Sequence, residues 1–217
     1  LQMGELAAPI EVRERMDERA SGLQLPSATA DAPVVRAFFA LAPGEEVRTR
    51  LAQLGRDVAR KSRGRAVSPE NAHLTLAFLG DVARSRVPVL EQVGDRLPRT
   101  GFVVEFDSLG AWRASGVAWI APAQLPPALV KLHSTLADAL TAAGFVLETR
   151  PFRPHVTLAR RCLQPQPRAH CAPIRWEVDR LFLIGSELQP EGPVYRELAN
   201  WNLTPPRGAG PGEHEPR

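Results

Sequence analysis

Apolar residues recur along this chain with two distinct periods, and Gly or Pro marks most of the changes between them. Val34 to Leu41 (VVRAFFAL) is a β-branched and aromatic run that stops at Pro43-Gly44, which predicts a strand. Val47, Leu51, Leu54 and Val58 then fall at i, i+4, i+7 and i+11, which aligns them on one face of a helix. Ser68-Pro69-Glu70-Asn71 breaks the chain before a second strand, Ala72 to Leu79, ended by Gly80-Asp81. Pro88 suits a helical first turn, and Val87, Leu90, Val93 and Leu97 keep the helical period up to Pro98.

Phe102, Val104 and Phe106 alternate with Val103, Glu105 and Asp107, and Val117, Trp119 and Ala121 alternate after Gly116, so this region reads as a hairpin. A leucine stripe (Leu125, Leu129, Leu132, Leu136, Leu140) predicts a helix over 125–143 that stops at Gly144. A short run, His155 to Ala159, follows Pro154. Ile174, Trp176 and Val178 alternate, the apolar Leu181 to Ile184 comes next, and together they form one long strand or two broken ones ending at Gly185. Val194 to Leu198 would close the sheet. The order strand, helix, strand occurs twice, each time ending in His-x-Thr-Leu, and this coarse duplication predicts an α+β body of two similar lobes.

Composition adds boundaries. The patterned body spans about 33–203, in a chain of 217 residues that is 44% hydrophobic, enough for one domain or two small lobes. Residues 1–32 and 204–217 lack core formers and are expected to be appendages, the first flexible or partly helical and the second flexible. The longest apolar stretches, such as Val117 to Ala121, are too short to cross a bilayer, and the start of the chain carries Glu, Arg and Asp where a secretory signal needs an apolar run. The expectation is a cytoplasmic monomer with no membrane partner. Cys162 and Cys171 match neither a disulfide framework nor a zinc spacing, even with His170 beside Cys171, and read as idle thiols.

A net charge of +3 says little about partners, but its distribution says more. Arg56, Arg60, Lys61, Arg63 and Arg65 stand against the single acid Asp57, which suits phosphate contacts and equally suits a solvated helix end.

The string His-x-Thr-Leu occurs three times: at His73, His133 and His155. On a strand, side chains at i and i+2 share a face, whereas on a helix they diverge. His73 with Thr75, and His155 with Thr157, lie on predicted strands and would project together into a cleft. His133 lies in the leucine-striped helix and is rejected as a site residue. For one such motif, a strand histidine satisfied by a neighbour is the ordinary explanation; two copies in matching contexts reverse the odds. In-line cleavage of a cyclic phosphodiester needs one group to take a proton and another to give one, and imidazoles suit both roles near neutral pH. The Thr75 and Thr157 hydroxyls can donate to non-bridging phosphate oxygens, and Arg153 and Arg160 can add guanidinium contacts. No metal or other cofactor is required. Phe78 and Phe152 are candidates to stack a base or ribose, although the even positions of its strand carry core leucines and place Phe78 in the core, while Phe152 is open. His170 and His214 receive no role.

At these residues the chain resembles the RNA 2′,3′-cyclic phosphodiesterases, also called 2′-5′ RNA ligases, of the two-histidine phosphoesterase superfamily. The similar blocks are Arg36 to Leu41, Pro69 to Gly80 with His73-Leu74-Thr75-Leu76, and Arg150 to Arg160 with His155-Val156-Thr157-Leu158, followed by Tyr195 to Leu203. The resemblance implies a bilobal α+β fold of two pseudo-symmetric antiparallel-sheet lobes, helices outside and a central cleft. It implies metal-free hydrolysis of a terminal 2′,3′-cyclic phosphate to a 2′-phosphate, with reversible 2′-5′ ligation as a further activity. It also implies that His73 donates a proton to the leaving oxygen and His155 accepts one from water, an order the residues themselves do not decide. The expected partners are RNA ends bearing the cyclic phosphate, or related nucleotides. Two other readings compete: an idle RNA-binding module, against which the intact motifs argue, and the same chemistry on a small nucleotide cyclic phosphate, which cleft depth decides.

Overall fold

The computed structural model describes residues 33–189 and 192–204; the appendages expected before residue 33 and after residue 204 lie outside the described residues. The elements run β1 (Val34–Leu41), α1 (Glu45–Ser62), β2 (Arg65–Ala66), β3 (Leu74–Ala83), α2 (Val87–Asp95), β4 (Phe102–Trp112), β5 (Val117–Ala121), α3 (Pro127–Ala142), β6 (Val156–Arg160), β7 (Ala169–Val178), β8 (Arg180–Gln189) and β9 (Gly192–Asn202). Eight strands form one path, β7-β4-β5-β6-β3-β1-β8-β9, with β2 beside β6. The path divides into two sets of four at the β6/β3 seam, where the only strand partners among the described residues are Leu74 and Val156, both fully buried. These halves are the two lobes. The chain order β1-α1-β3 in one half is repeated by β5-α3-β6 in the other.

The apolar face of the sheet carries the core. Phe39 and Leu41 of β1, Leu74 and Leu76 of β3, Phe106 of β4 and Val156 and Leu158 of β6 join one cluster with Leu51 of α1 and the Leu129, Leu132, Leu136 and Leu140 stripe of α3. Helix α1 lies close against β6 because Gly55 has no side chain: a Cβ there would stand 3.1 Å from the Leu158 carbonyl oxygen. The terminal part of the leucine stripe differs from expectation, since α3 begins at Pro127 and Leu125 is exposed ahead of it.

Several strand boundaries also differ. β3 continues through Gly80-Asp81 to Ala83, with Gly80 at φ +68° absorbing an irregularity that ends no pairing with β1. β4 runs on to Trp112 before a short 3-10 turn (Arg113–Ser115) and Gly116, at φ +61°, return the chain into β5. β7 starts at Ala169, inside the expected Pro-rich connection, and its Pro173 is tolerated because β7 is an edge strand with no ladder bond required on one side. One residue, Asp179, separates β7 from β8, although they belong to opposite halves, so the halves meet at this end as well as at the seam.

Candidate active site

The two His-x-Thr segments enter the seam from opposite directions. The antiparallel pair Leu74–Val156 sets His73 across from Thr157 and Thr75 across from His155, which gives a local two-fold arrangement. Leu74, Leu76, Val156 and Leu158 are buried beneath, while His73, Thr75, His155 and Thr157 are only partly covered and share the other face. The sheet alternation anticipated from the sequence therefore brings all four side chains together.

Both imidazoles are fixed in the same way. The Nδ1 of His73 lies 2.7 Å from the Asn71 carbonyl oxygen, and the Nδ1 of His155 lies 2.7 Å from the Arg153 carbonyl oxygen, each two residues back. A carbonyl only accepts, so each Nδ1 carries the proton and each Nε2 keeps a lone pair directed away from its own backbone. Each ring also has an edge-on aromatic: Tyr195 at 5.3 Å (86°) for His73 and Trp112 at 4.5 Å (83°) for His155. Phe38 packs on His73 as well, with centroids 5.0 Å apart.

Burial pushes the His73 imidazole down to about 4, the carbonyl of Asn71 opposing the shift and the charges of Arg160 and His155 adding to it. His155 is lowered for the same first reason, opposed by the Arg153 carbonyl and reinforced by Arg160. Burial raises the Tyr195 phenol, which stays a neutral hydroxyl, and Arg160 partly offsets that shift. One cation thus acts on three groups of the site.

A bulge explains how Arg160 reaches them. Ala118 pairs with Ala159 and Trp119 with Thr157, so Leu158 is an extra residue in β6 and the alternation slips by one. Ala159 then faces Ala59 of α1, and Arg160 returns to the cleft face. β3 carries the same device. Phe39 pairs with Ala77 and Ala40 with Thr75, leaving Leu76 extra. This corrects the expectation for Phe78, which does not share the core face of Leu74 and Leu76. It packs in a separate cluster with Phe38, Ala40 and Ile184, and the Arg36 guanidinium lies 4.8 Å from its ring centre. Phe78 and Arg160, each five residues after a motif histidine, are the two-fold counterparts.

Beyond His155 lies a cleft of about 530 Å³, lined among others by Trp112, Trp119, Phe152, Arg153, His155 and Arg168. Phe152 and Arg153 are both in its wall. Phe152 stacks on His133 (3.8 Å, 11°), so the helical copy of the motif supports the wall and contributes nothing to the floor. Trp119 lies flat across Gly110, where any Cβ would collide with its ring, and the Arg168 guanidinium lies 5.6 Å from the Trp119 ring centre.

Sequence reasoning missed Trp112, Tyr195 and Arg168. Tyr195 is the chain's single tyrosine, a signal that was available; Trp112 is brought in by strand pairing and Arg168 by its place just before β7, whose Ala169 pairs with Leu109, and neither has a spacing relation to either motif. Cys162 is buried among alanines and 3.2 Å from the Ser62 hydroxyl, and Cys171 is half-buried beside exposed His170 on β7. Among the described residues, no three His, Cys, Asp or Glu side chains converge to hold a metal ion, and no helix is long and apolar enough to cross a membrane.

A family model described as the 2′-5′ RNA ligase superfamily matches residues 43–189, which contain both motifs. The chain belongs to this superfamily. An RNA 2′,3′-cyclic phosphodiesterase of Escherichia coli is 31% identical over 173 residues, covering 78% of this chain and 97% of that one. One from Thermus thermophilus is 33% identical over 198 residues, covering 82% and 98%. Among solved structures, Escherichia coli LigT complexed with 3′-AMP superposes with a TM-score of 0.70 at 30% identity, covering 79% of this chain and 99% of that one. Membership makes the chain an enzyme of cyclic phosphodiesters, and the α+β fold of two antiparallel lobes is that of its relatives.

Proposed function

We propose that this enzyme hydrolyses the 2′,3′-cyclic phosphate at an RNA 3′ end to a 2′-phosphate without a metal. His73 donates a proton to the departing 3′ oxygen and His155 takes one from the attacking water. The observation that carries the reading is the two-fold meeting of the His-x-Thr pairs at Leu74–Val156, with both Nδ1 atoms tied to carbonyls and both Nε2 atoms left for proton transfer.

In-line attack requires the acid and base on opposite sides of phosphorus, and the diagonal placement of the histidines supplies that. Thr75 and Thr157 donate to the non-bridging oxygens between them, and Arg160 offsets the charge that builds there. Both imidazoles are neutral at rest, so the proton on His73 is acquired when the phosphate anion stands beside it and favours the charged form. Replacing the water by a 5′-hydroxyl gives 2′-5′ ligation through the same transfers.

The test is incubation, in excess chelator, with an oligonucleotide ending in 2′,3′-cyclic phosphate and with a mononucleotide 2′,3′-cyclic phosphate. A 2′-phosphate product from the oligonucleotide is expected; a 3′-phosphate product, or activity that returns only with a divalent ion, overturns the reading. The cleft volume lies within the range of small-molecule sites, so the mononucleotide is expected to turn over as well.

The lowered imidazoles set the pH dependence. Because kcat/KM reports the free enzyme, its basic limb, loss of the acid's proton, is expected to begin below the ordinary histidine value of about 6.5. In kcat that limb moves to higher pH, because bound phosphate raises both groups. A kcat/KM profile that is flat over about pH 5 to 8, where histidines titrate, removes them as proton carriers.

A further inference from the structure

We infer that Arg65, set beside Arg160 by the short strand β2, forms a second phosphate subsite for the phosphodiester adjoining the terminal nucleotide, so that the cleft prefers an RNA end to a free mononucleotide. The inference rests on the function proposed above and names the feature that selects its substrate.

Strand β2 is only two residues long, yet its register is fixed. Arg65 pairs with Arg160 and Ala66 with Ala159, and the Val67 N–H donates to the Leu158 carbonyl at 2.9 Å. Directly paired residues project to the same face. Ala66 and Ala159 both pack toward Ala59 of α1, so their neighbours Arg65 and Arg160 both project to the cleft face. Arg160, on the cleft face beyond the Leu158 bulge, carries a charge felt by His73, His155 and Tyr195. Arg65 therefore stands one strand spacing from a cation of the reaction centre.

Its place along the strand follows from the same pairing. Thr157 lies across from His73, and Arg160 is three residues on, one of them taken up by the Leu158 bulge. Arg65 is thus about two strand residues, roughly 7 Å, beyond His73. A neighbouring phosphate of an RNA strand whose terminal phosphate sits between the histidines falls in that range. Among the described residues, no carboxylate comes within salt-bridge distance of Arg65, whereas Arg60 in the same basic cluster is held by Asp57 at 3.0 Å. The structure divides the Arg56 to Arg65 cluster accordingly: Arg65 belongs to the cleft, and Arg60 is an ordinary helix-surface pair.

The experiment compares Arg65→Gln, Arg65→Lys and Arg60→Gln with the unaltered enzyme. Hydrolysis of an oligonucleotide and of a mononucleotide, each ending in 2′,3′-cyclic phosphate, is measured over a salt series. Binding of an oligonucleotide ending in 2′-phosphate is measured in parallel, so that the subsite is read even where turnover is absent. For Arg65→Gln the oligonucleotide affinity and kcat/KM should fall about fivefold near 0.1 M salt, and the log–log salt slope should shrink by about 0.7, the share of one cation on a single strand. The oligonucleotide-to-mononucleotide ratio of kcat/KM should fall with it. Arg65→Lys should keep most of both, and Arg60→Gln should change neither. An unchanged slope and ratio, an equal loss on the mononucleotide, or an equal effect from Arg60→Gln overturns the subsite. Failure of the unaltered enzyme to hydrolyse either substrate overturns the proposed function instead, and the binding series still decides on Arg65.

Discussion

Replacing His73 or His155 by alanine is expected to lower kcat about 10²- to 10⁴-fold, the usual contribution of one positioned acid or base. Substrate affinity should fall much less, because Thr75, Thr157 and Arg160 remain to hold the phosphate. In the proposed mechanism the two histidines serve one step, so the double variant should lie little below the singles, and the free energies should be far from additive. His133→Ala is the control built into the sequence: the same tripeptide stands on α3, stacked behind Phe152. Its loss loosens the cleft wall, which should raise KM a few-fold and leave kcat near the original value. Single-turnover rates for the four variants separate these outcomes. Near-normal chemistry in both the His73 and His155 variants, or a His133 variant as slow as they are, defeats the assignment.

The second large effect is expected at Arg160. Arg160→Gln removes a charge-assisted donor from the forming phosphorane-like charge, and loss of one such donor costs about 10²- to 10³-fold in kcat. It also has a signature that simple loosening of the structure would not produce. The Arg160 charge lowers both imidazoles, so its removal should raise both, most directly visible as upward shifts in the His73 and His155 titrations followed by NMR. The basic limb of kcat/KM should move up in pH with them. A slow variant in which neither imidazole titrates differently would place Arg160 outside the site's electrostatics.

The motif strands were legible because a strand's period is a local property: His73 and Thr75, or His155 and Thr157, share a face whatever lies beside them. The helix α3 was legible for the same reason, through its leucine stripe. What could not be read was set by partners. The Leu76 bulge exists only in relation to β1, and it moves Phe78 to the face opposite the one its even number suggests. The Leu158 bulge likewise decides that Arg160 faces the cleft, a placement that a strict alternation from His155 would have denied. β2 has two residues and no period, and the first half of β7 is exposed apart from half-buried Cys171, so neither carries a hydrophobic pattern to detect. Trp112 and Tyr195 reach the histidines from β4 and β9 through pairings that no spacing in the chain announces.

The single strand pair at the seam has a consequence for how this molecule can vary. Among the described residues, Leu74 and Val156 are the one strand pair joining the halves along β3 and β6, and each stands next to a histidine in sequence. The gap between the two motif histidines is thus governed locally, at the seam, whatever the lengths of the outer hairpins. Insertions into the segment between β6 and β7, whose Arg168 lines the cleft, can reshape its wall without changing the distance between the two histidines. Volume changes at Leu74 or Val156, by contrast, would displace both histidines at once. Substrate range and chemistry are therefore separable traits in this architecture, open to drift at the periphery and constrained at two adjoining side chains.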